Sequence, residues 1–383
     1  MGEKKRLLII NEVFGHSSTG VICADIADEY RKKGWVVKAA YGRDAYVPEK
    51  LQDYSVRIGG SIDVYCHALG ARLFDNAGFG SKNATKRFLR WASDYDPDLI
   101  WLHNLHGYYI NIEYLFAWLK SLNNKEIKWT LHDCWAFTGH CAYFSYIGCN
   151  KWMEKCEKCP QRNIYPISYF MDRSERNYKK KRKLFSDVEG MKLIVPSNWL
   201  LERVGKSFLS NYPISVQYNS IDSSIFKPTQ SDFRKRYNLD NKFIVLGVAN
   251  VWNERKGINL FCNLSKLVDD QMIIVLVGID NGLKRKMPSN ILCINRTHSK
   301  QMLAEIYSAA NVFVNPSIEE TFGMTVVEAQ SCGTYVIVMK GSACAEIYNK
   351  SNGEESEYSL NSIYTSIMKK KEQWVKDNNL ISQ

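Results

Sequence analysis

The stretch NPSIEETFGMTVVEAQSCG, Asn315 to Gly333, reads as the end of a strand, a turn and the first turns of a helix. The run VFVNPS, Val312 to Ser317, is apolar and β-branched until it breaks at Asn315-Pro316-Ser317, as a strand entering a loop does. A helical pattern begins at about Phe322 and stops near Cys332-Gly333, where the glycine suits a helix C-cap. Glu320 falls in the loop, and Glu328 falls in the helix among Val326, Val327 and Ala329. A helix start presents free backbone N–H groups and a positive dipole end, a ready seat for a diphosphate. Gly323 lets a ligand approach the backbone, and the Glu328 carboxylate can accept from both hydroxyls of a ribose. An ordinary amphipathic helix with a solvated Glu328 satisfies the spacing equally well.

The full pattern PS-x-x-E-x-FG-x-x-x-x-EA-x-x-x-G resembles the signature of the retaining glycosyltransferases of family 4, which have the GT-B fold. The resemblance implies that Glu320 contacts a donor sugar and Glu328 holds the nucleotide ribose. Thr321, Phe322 and Gly323 then lie against the donor.

Outward from this stretch the pattern is that of a second α/β domain, residues 226–361. Strand-like runs at Phe243–Ala249, Met272–Val277, Ile291–Asn295, Val312–Val314 and Tyr335–Met339 alternate with helical ones from Ile258 and at Lys300–Ala309. The loop NVWNERKG, Asn250 to Gly257, ends in a K-G that resembles the family's, which implies that Lys256 binds the donor diphosphate. A lysine serves there as a compact point charge. The family's arginine six residues earlier is replaced by Asn250, and Arg255 is the neighbouring guanidinium that can stand in for it. Arg296, after the third of these strands, lies where the family holds the nucleotide base. GSACAE at Gly341 to Glu346 replaces the family's G-G-x-P-E. Residues 362–383 belong to a last amphipathic helix, Ser359 to Trp374 in its clearest part, expected to cross back to the first domain as in GT-B enzymes. The segment from Asn219 to Pro228 resembles the family's interdomain linker, with Tyr218 and Ser220 in place of its Pro and Gly.

Residues 1–225 read as a first α/β domain. Arg6–Phe14 is a strand, Gly15 to Gly20 a small-residue loop, Val21–Lys33 a helix and Trp35–Tyr41 the next strand. In an open parallel sheet the loops after strand C-termini build the ligand cleft. The resemblance sets Gly15, His16 and Ser17 on the acceptor side of such a cleft. DYDPD, Asp94 to Asp98, is a polar turn before the strand Leu99–Leu102 and not a metal-binding D-x-D. His103, Asn104 and His106 follow that strand, and His132-Asp133 follows the strand Lys128–Leu131. Asp133 is placed to orient His132, or His132 to bond a sugar hydroxyl. The resemblance sets His132 at the reaction centre, with His103 and Asp133 on the acceptor side.

Cys134, Cys141, Cys149, Cys156 and Cys159 crowd into residues 134–160, five of the chain's 11 cysteines. C-x2-C before Pro160 is a knuckle spacing common at zinc sites, so Cys141, Cys149, Cys156 and Cys159 are candidate ligands of a closed, structural zinc. Buried, reduced cysteines packing an aromatic loop are the other reading. The stretch also resembles a subset of family 4 enzymes from bacterial capsule, exopolysaccharide and O-antigen clusters, colanic acid biosynthesis among them.

The 383 residues suffice for two cores, and 45% hydrophobic with 24% charged residues is ordinary for a globular protein. The apolar runs are strand-sized, and MGEKKRLLII reads as a first strand and not a signal peptide, so a cytoplasmic protein is expected. The net charge of +11 and the run RSERNYKKKRK, Arg173 to Lys183, suit an anionic membrane surface or a lipid diphosphate as well as a solvated face. No nucleic-acid motif accompanies the charge.

The expectation is a GT-B α/β protein, two Rossmann-like domains facing an interdomain cleft. It would move a sugar from a nucleoside diphosphate sugar to a hydroxyl of a lipid-linked bacterial glycan, with retention. Lys256, Glu320 and His132 would carry the reaction, and the resemblance implies no cofactor for catalysis. Another GT-B enzyme, an epimerase or a phosphorylase, is one alternative. A non-enzymatic, zinc-stabilised basic binding protein is the other.

Overall fold

The computed structural model describes residues 4–43 and 46–381, in two compact units that meet in sequence between Tyr218 and Asn219. The first unit carries strands β1 (Arg6–Ile10), β2 (Val36–Tyr41), β3 (Ser55–Arg57), β4 (Leu99–Leu102), β5 (Glu126–Thr130), β6 (Met191–Val195) and β7 (Ile214–Val216). All pair in parallel, in the order β3-β2-β1-β4-β5-β6-β7. Parallel neighbours need crossovers, supplied here by helices such as Ser17–Lys32, Ile112–Ser121 and Ser174–Phe185. Leu7 and Ile9 of β1 pack with Cys23, Ile26 and Ala27 of the first helix, while the alternating Leu8 and Ile10 are buried on the other face. Strands covered on both sides read as continuous apolar runs, which is why they were visible without alternation.

The second unit repeats the plan with β8 (Phe243–Val248), β9 (Met272–Val277), β10 (Ile291–Ile294), β11 (Val312–Asn315), β12 (Tyr335–Met339) and β13 (Gly353–Ser356). These are again all parallel, in the order β10-β9-β8-β11-β12-β13. Side chains alternate between two cores. Ile244, Leu246, Val275 and Val277 join one, and Phe243, Val245, Ile274 and Leu276 the other. Each such buried aliphatic contributes about 2 kcal/mol. In both sheets the strand order reverses beside the first strand, between β1 and β4 and between β8 and β11. Loops leaving those strand ends diverge and leave a crevice.

Element ends shift from the expected ones. β1 stops at Ile10 because Asn11 turns the chain, its Nδ2 donating to Val13 O (2.8 Å) and Thr19 Oγ1 (3.3 Å). The first helix starts at Ser17, not Val21, so the loop it leaves is shorter. The last helix, Leu360–Ile381, packs on the second unit's own core through Ile363 and Ile367. Lys371 is bonded to Asp269 at 2.5 Å and Trp374 stands edge-on to Phe243. Among the described residues no helix is long and apolar enough to cross a membrane.

Candidate active site

In the second unit the loops after β8 and β11 meet. Asn253 Oδ1 accepts from Lys256 N (3.1 Å) and fixes a short turn that aims Lys256 at the other loop. Gly257 follows with φ +77°, packed so closely on Pro316 that a Cβ would collide with its ring. Lys256 Nζ donates to Glu320 Oε1, and both side chains are largely buried. Burial pushes the Glu320 carboxyl up, but Lys256 and then Arg255 outweigh it, so the group lies below the usual range and is ionised. Arg255 donates to the carbonyl of Glu319 (2.5 Å), bracing the 318–320 loop. Asn250 and Arg296 lie exposed at the ends of β8 and β10.

The helix Met324–Ser331 starts at Gly323, whose φ of +102° and packing against Cys344 Sγ exclude a side chain. Phe322 is buried beneath this turn and Thr321 is half-buried. One turn into the helix, Glu328 Oε2 accepts from the hydroxyl of Tyr307 (3.2 Å). Burial raises the Glu328 pKa, and the Tyr307 bond and the Lys300 charge only partly offset that. Lys256, Glu320, the Gly323 turn and Glu328 therefore belong to one face of one sheet, the strand-end face. Tyr307 and Asn253, which position two of them, were not singled out from the sequence. A lone Tyr or Asn carries no motif.

The first unit gathers its own polar cluster at the ends of β1, β4 and β5. Glu12 takes hydrogen bonds from Arg43 (2.9 Å) and Asn104 Nδ2 (3.4 Å), and Asn11 Oδ1 accepts from Asn104 N (3.1 Å). The expected pairing of His132 with Asp133 is not what forms. His132 Nε2 lies 2.9 Å from His103 Nδ1 with the rings stacked, and Asp133 instead bonds His106 Nε2 at 2.8 Å. Successive residues at a strand end point to opposite sides, so neighbours in sequence take different partners. Burial lowers the pKa of His132 to about 4 and that of His103 well below its ordinary value, so the stacked pair is neutral. Burial also opposes protonation of His106, but the Asp133 carboxylate overcomes it and raises that pKa. His106 Nδ1 meets the hydroxyl of Tyr165 (3.0 Å), completing a Tyr165-His106-Asp133 chain. Gly15 has φ +76°, and His16 and Ser17 form the start of the first helix, with Ser17 Oγ 3.4 Å from His16 Nδ1. Glu12, Arg43 and Tyr165 are the members of this cluster that sequence reading missed.

Cys141, Cys149, Cys156 and Cys159 line one small cavity together with His140. His140 Nδ1 is engaged by Asp75 (2.6 Å). Among the described residues no three His, Cys, Asp or Glu side chains stand close enough to hold a metal ion. Within this cavity the Cys141 and Cys159 thiols are hydrogen-bonded to each other. The basic run is also less uniform than its composition implies. Lys181 is fully buried, donating to Trp135 O (2.8 Å) and Thr138 O (3.1 Å), and Lys180 and Lys179 pair with Glu113 and Glu175.

Comparison with known proteins bears on the family and the fold. The family model for glycosyl transferases group 1 matches residues 242–360, the unit holding Lys256, Glu320 and Glu328. WcaC of Escherichia coli, a glycosyl transferase named for colanic acid biosynthesis, is 33% identical over 295 residues, 74% of this chain and 69% of that protein. The N,N'-diacetylbacillosaminyl-diphospho-undecaprenol alpha-1,3-N-acetylgalactosaminyltransferase of Campylobacter jejuni is 30% identical over 118 residues, 30% of this chain and 31% of that one. Among solved structures, Anabaena HepE in complex with UDP and glucose superposes with a TM-score of 0.64 at 14% identity, covering 95% of this chain and 89% of that one.

Proposed function

The chain belongs to the GT-B glycosyltransferases of the capsule and O-antigen type, and from that premise we propose that it moves a sugar from a nucleoside diphosphate sugar to a hydroxyl of a growing, lipid-linked glycan with retention of configuration. It is a glycosyltransferase of bacterial polysaccharide biosynthesis. The observation that carries the finer reading is the Lys256–Glu320 pair on the diverging loops of β8 and β11. Ahead of any donor, that carboxylate keeps the ammonium in place. A donor diphosphate would draw the ammonium to itself and leave Glu320 free to accept from sugar hydroxyls.

In the reaction the bond between the anomeric carbon and the diphosphate oxygen breaks, and a bond to the acceptor oxygen forms on the same face. The acceptor proton passes to the departing phosphate oxygen. Negative charge grows on the diphosphate as this happens, and Lys256 with the N–H groups at the Gly323 turn lowers its energy. Glu328, seated beside Tyr307, offers its carboxyl oxygens to the ribose hydroxyls. The neutral His103–His132 pair offers N–H and lone-pair sites to uncharged hydroxyls without adding a charge. The undecaprenyl acceptor in the name of the Campylobacter relative supports a lipid-diphosphate acceptor here. Such acceptors and nucleotide sugars meet at the inner face of the plasma membrane, and we place the protein there.

Thermal unfolding against a panel of nucleoside diphosphates and their sugars tests the donor half. A ligand at 100 times its Kd stabilises the fold by about 2.7 kcal/mol. Nucleotides of one base should raise the midpoint by several degrees, and Glu328→Ala should lose the shift while keeping its own unliganded midpoint. The absence of any shift at millimolar nucleotide would overturn the donor site. Sugar release to water alone, with no transfer to lipid-linked acceptors, would overturn the acceptor.

A further inference from the structure

We propose that the solvent face of the Ser61–Phe74 helix, together with the 164–171 loop, is a docking surface for an anionic lipid bilayer. The helix is apolar on two sides. His67 and Ala71 face inward and are buried, while Ile62, Tyr65 and Leu69, spaced i, i+3 and i+7, share the outer face. Ile62 is 80% exposed and Tyr65 69%. A helix that only covered a core would carry polar residues there.

The loop extends the same apolar ridge. Tyr169 N donates to Arg72 O (2.7 Å), which ties the loop to the last turn of the helix beside exposed Phe74. Tyr169, Phe170 and Met171 are all exposed, Phe170 to 73%. Eight of the 16 exposed large apolar side chains of the described residues lie on these two segments, so the ridge is a patch and not a scatter.

Charge selects the occupant. Arg57 donates to Ser61 Oγ (3.1 Å) at one end of the ridge. Arg72 is exposed on the helix, Arg162 NH1 reaches Phe170 O (3.5 Å), and Arg173 reaches Met171 Sδ (3.3 Å) with its guanidinium 5.9 Å from the Phe74 ring centroid. The carboxylates in the same region are engaged. Asp63 accepts from Gly60 N (2.8 Å) and lies 3.9 Å from Arg87, and Asp172 accepts from Ser174 N (2.9 Å) and Cys159 N (2.6 Å). An apolar, aromatic ridge rimmed by arginines is the arrangement that inserts rings at the headgroup level and pairs guanidinium groups with lipid phosphates. A nucleic acid would leave the apolar ridge without a partner. This also moves the membrane contact from the 173–183 basic run, whose lysines are largely paired or buried, to the neighbouring helix.

The proposal needs no donor and no acceptor, so it is tested apart from the transferase reading. The purified full chain is sedimented with vesicles of phosphatidylglycerol and phosphatidylcholine, and with phosphatidylcholine alone. Binding is expected to the anionic vesicles, weakened by half-molar salt. Ile62→Ser/Tyr65→Ser/Phe170→Ser and Arg72→Ala/Arg173→Ala should each bind at least tenfold more weakly, with unchanged unfolding midpoints because the altered side chains are exposed. Lys179→Ala/Lys183→Ala on the basic helix should bind within about twofold of the parent. Failure of the parent to bind anionic vesicles at low salt would overturn the proposal. Equal binding by the ridge variants would do so too, as would self-association of the parent that the ridge variants abolish.

Discussion

Two adjacent glutamates in the 318–320 loop behave differently. Glu319 is fully buried and lends its carbonyl to Arg255, while Glu320 meets Lys256. The family resemblance implied a role for Glu320, and it is Glu320 that meets the Lys256 ammonium. For Lys256→Ala the expected loss is about 10²- to 10³-fold in kcat/KM, the scale of removing one preorganised donor to a developing oxyanion. Lys256→Arg should recover part of it, since the charge returns on a bulkier, planar head. Steady-state kinetics on both variants decide this, and a Lys256→Ala enzyme within threefold of the parent would remove the residue from the mechanism. Pairings were the part of the site least legible in advance. His132 and Asp133 looked like partners because they are neighbours in the chain, yet each reaches the loop that follows β4, one to His103 and the other to His106. Such partnerships depend on strand register, which no single-strand pattern carries.

At the level of elements, most central strands were legible to within a residue or two because burial on both faces leaves uninterrupted apolar runs, whereas the edge strands β3 and β13 were not expected and β1 ends at Ile10, four residues before Phe14. Met272–Val277 and the helix Lys300–Ala309 fall where their patterns put them. The loops were not legible to that degree. The turn after β1 is set by side-chain bonds from Asn11, which no periodicity announces. The turn at Gly323 is the exception, since a glycine between a strand end and a helix with an apolar face is itself a signal. There Gly323→Ala should cost roughly 1–3 kcal/mol of stability, from backbone strain at φ +102° and collision with Cys344, measured as a lowered denaturant midpoint. It should also weaken nucleotide binding more than Gly282→Ala, where the added Cβ would meet only Asp280 Oδ1, at 3.1 Å.

Over the whole molecule, the buried histidines of the first unit predict a response to acid. Burial lowers His67 and His132 to about 4 and His103 well below its ordinary 6.5, so all three are neutral when folded. Their stabilisation is complete above pH 6.5, where both states are neutral, and is lost as pH falls from there toward the folded values. For His67 and His132 that loss reaches about 2–3 kcal/mol each by pH 4.5. His140 runs the other way, burial being overcome by Asp75, so like His106 its contribution is constant below pH 6.5. The denaturant midpoint followed by tryptophan fluorescence should therefore fall between pH 6.5 and 4.5, less steeply in His67→Gln. A midpoint flat across that window would contradict the neutral assignments. The wholly parallel sheets have one more consequence, in the order of synthesis. The centre of the first sheet pairs Leu7 with Leu99, so β1 leaves the ribosome some ninety residues before its inner neighbour exists. Until then β1 has β2 at one edge and the first helix on one face, and its other edge is open. A nascent chain stalled short of Leu99 should accordingly recruit chaperones, and one stalled beyond β7 should release them.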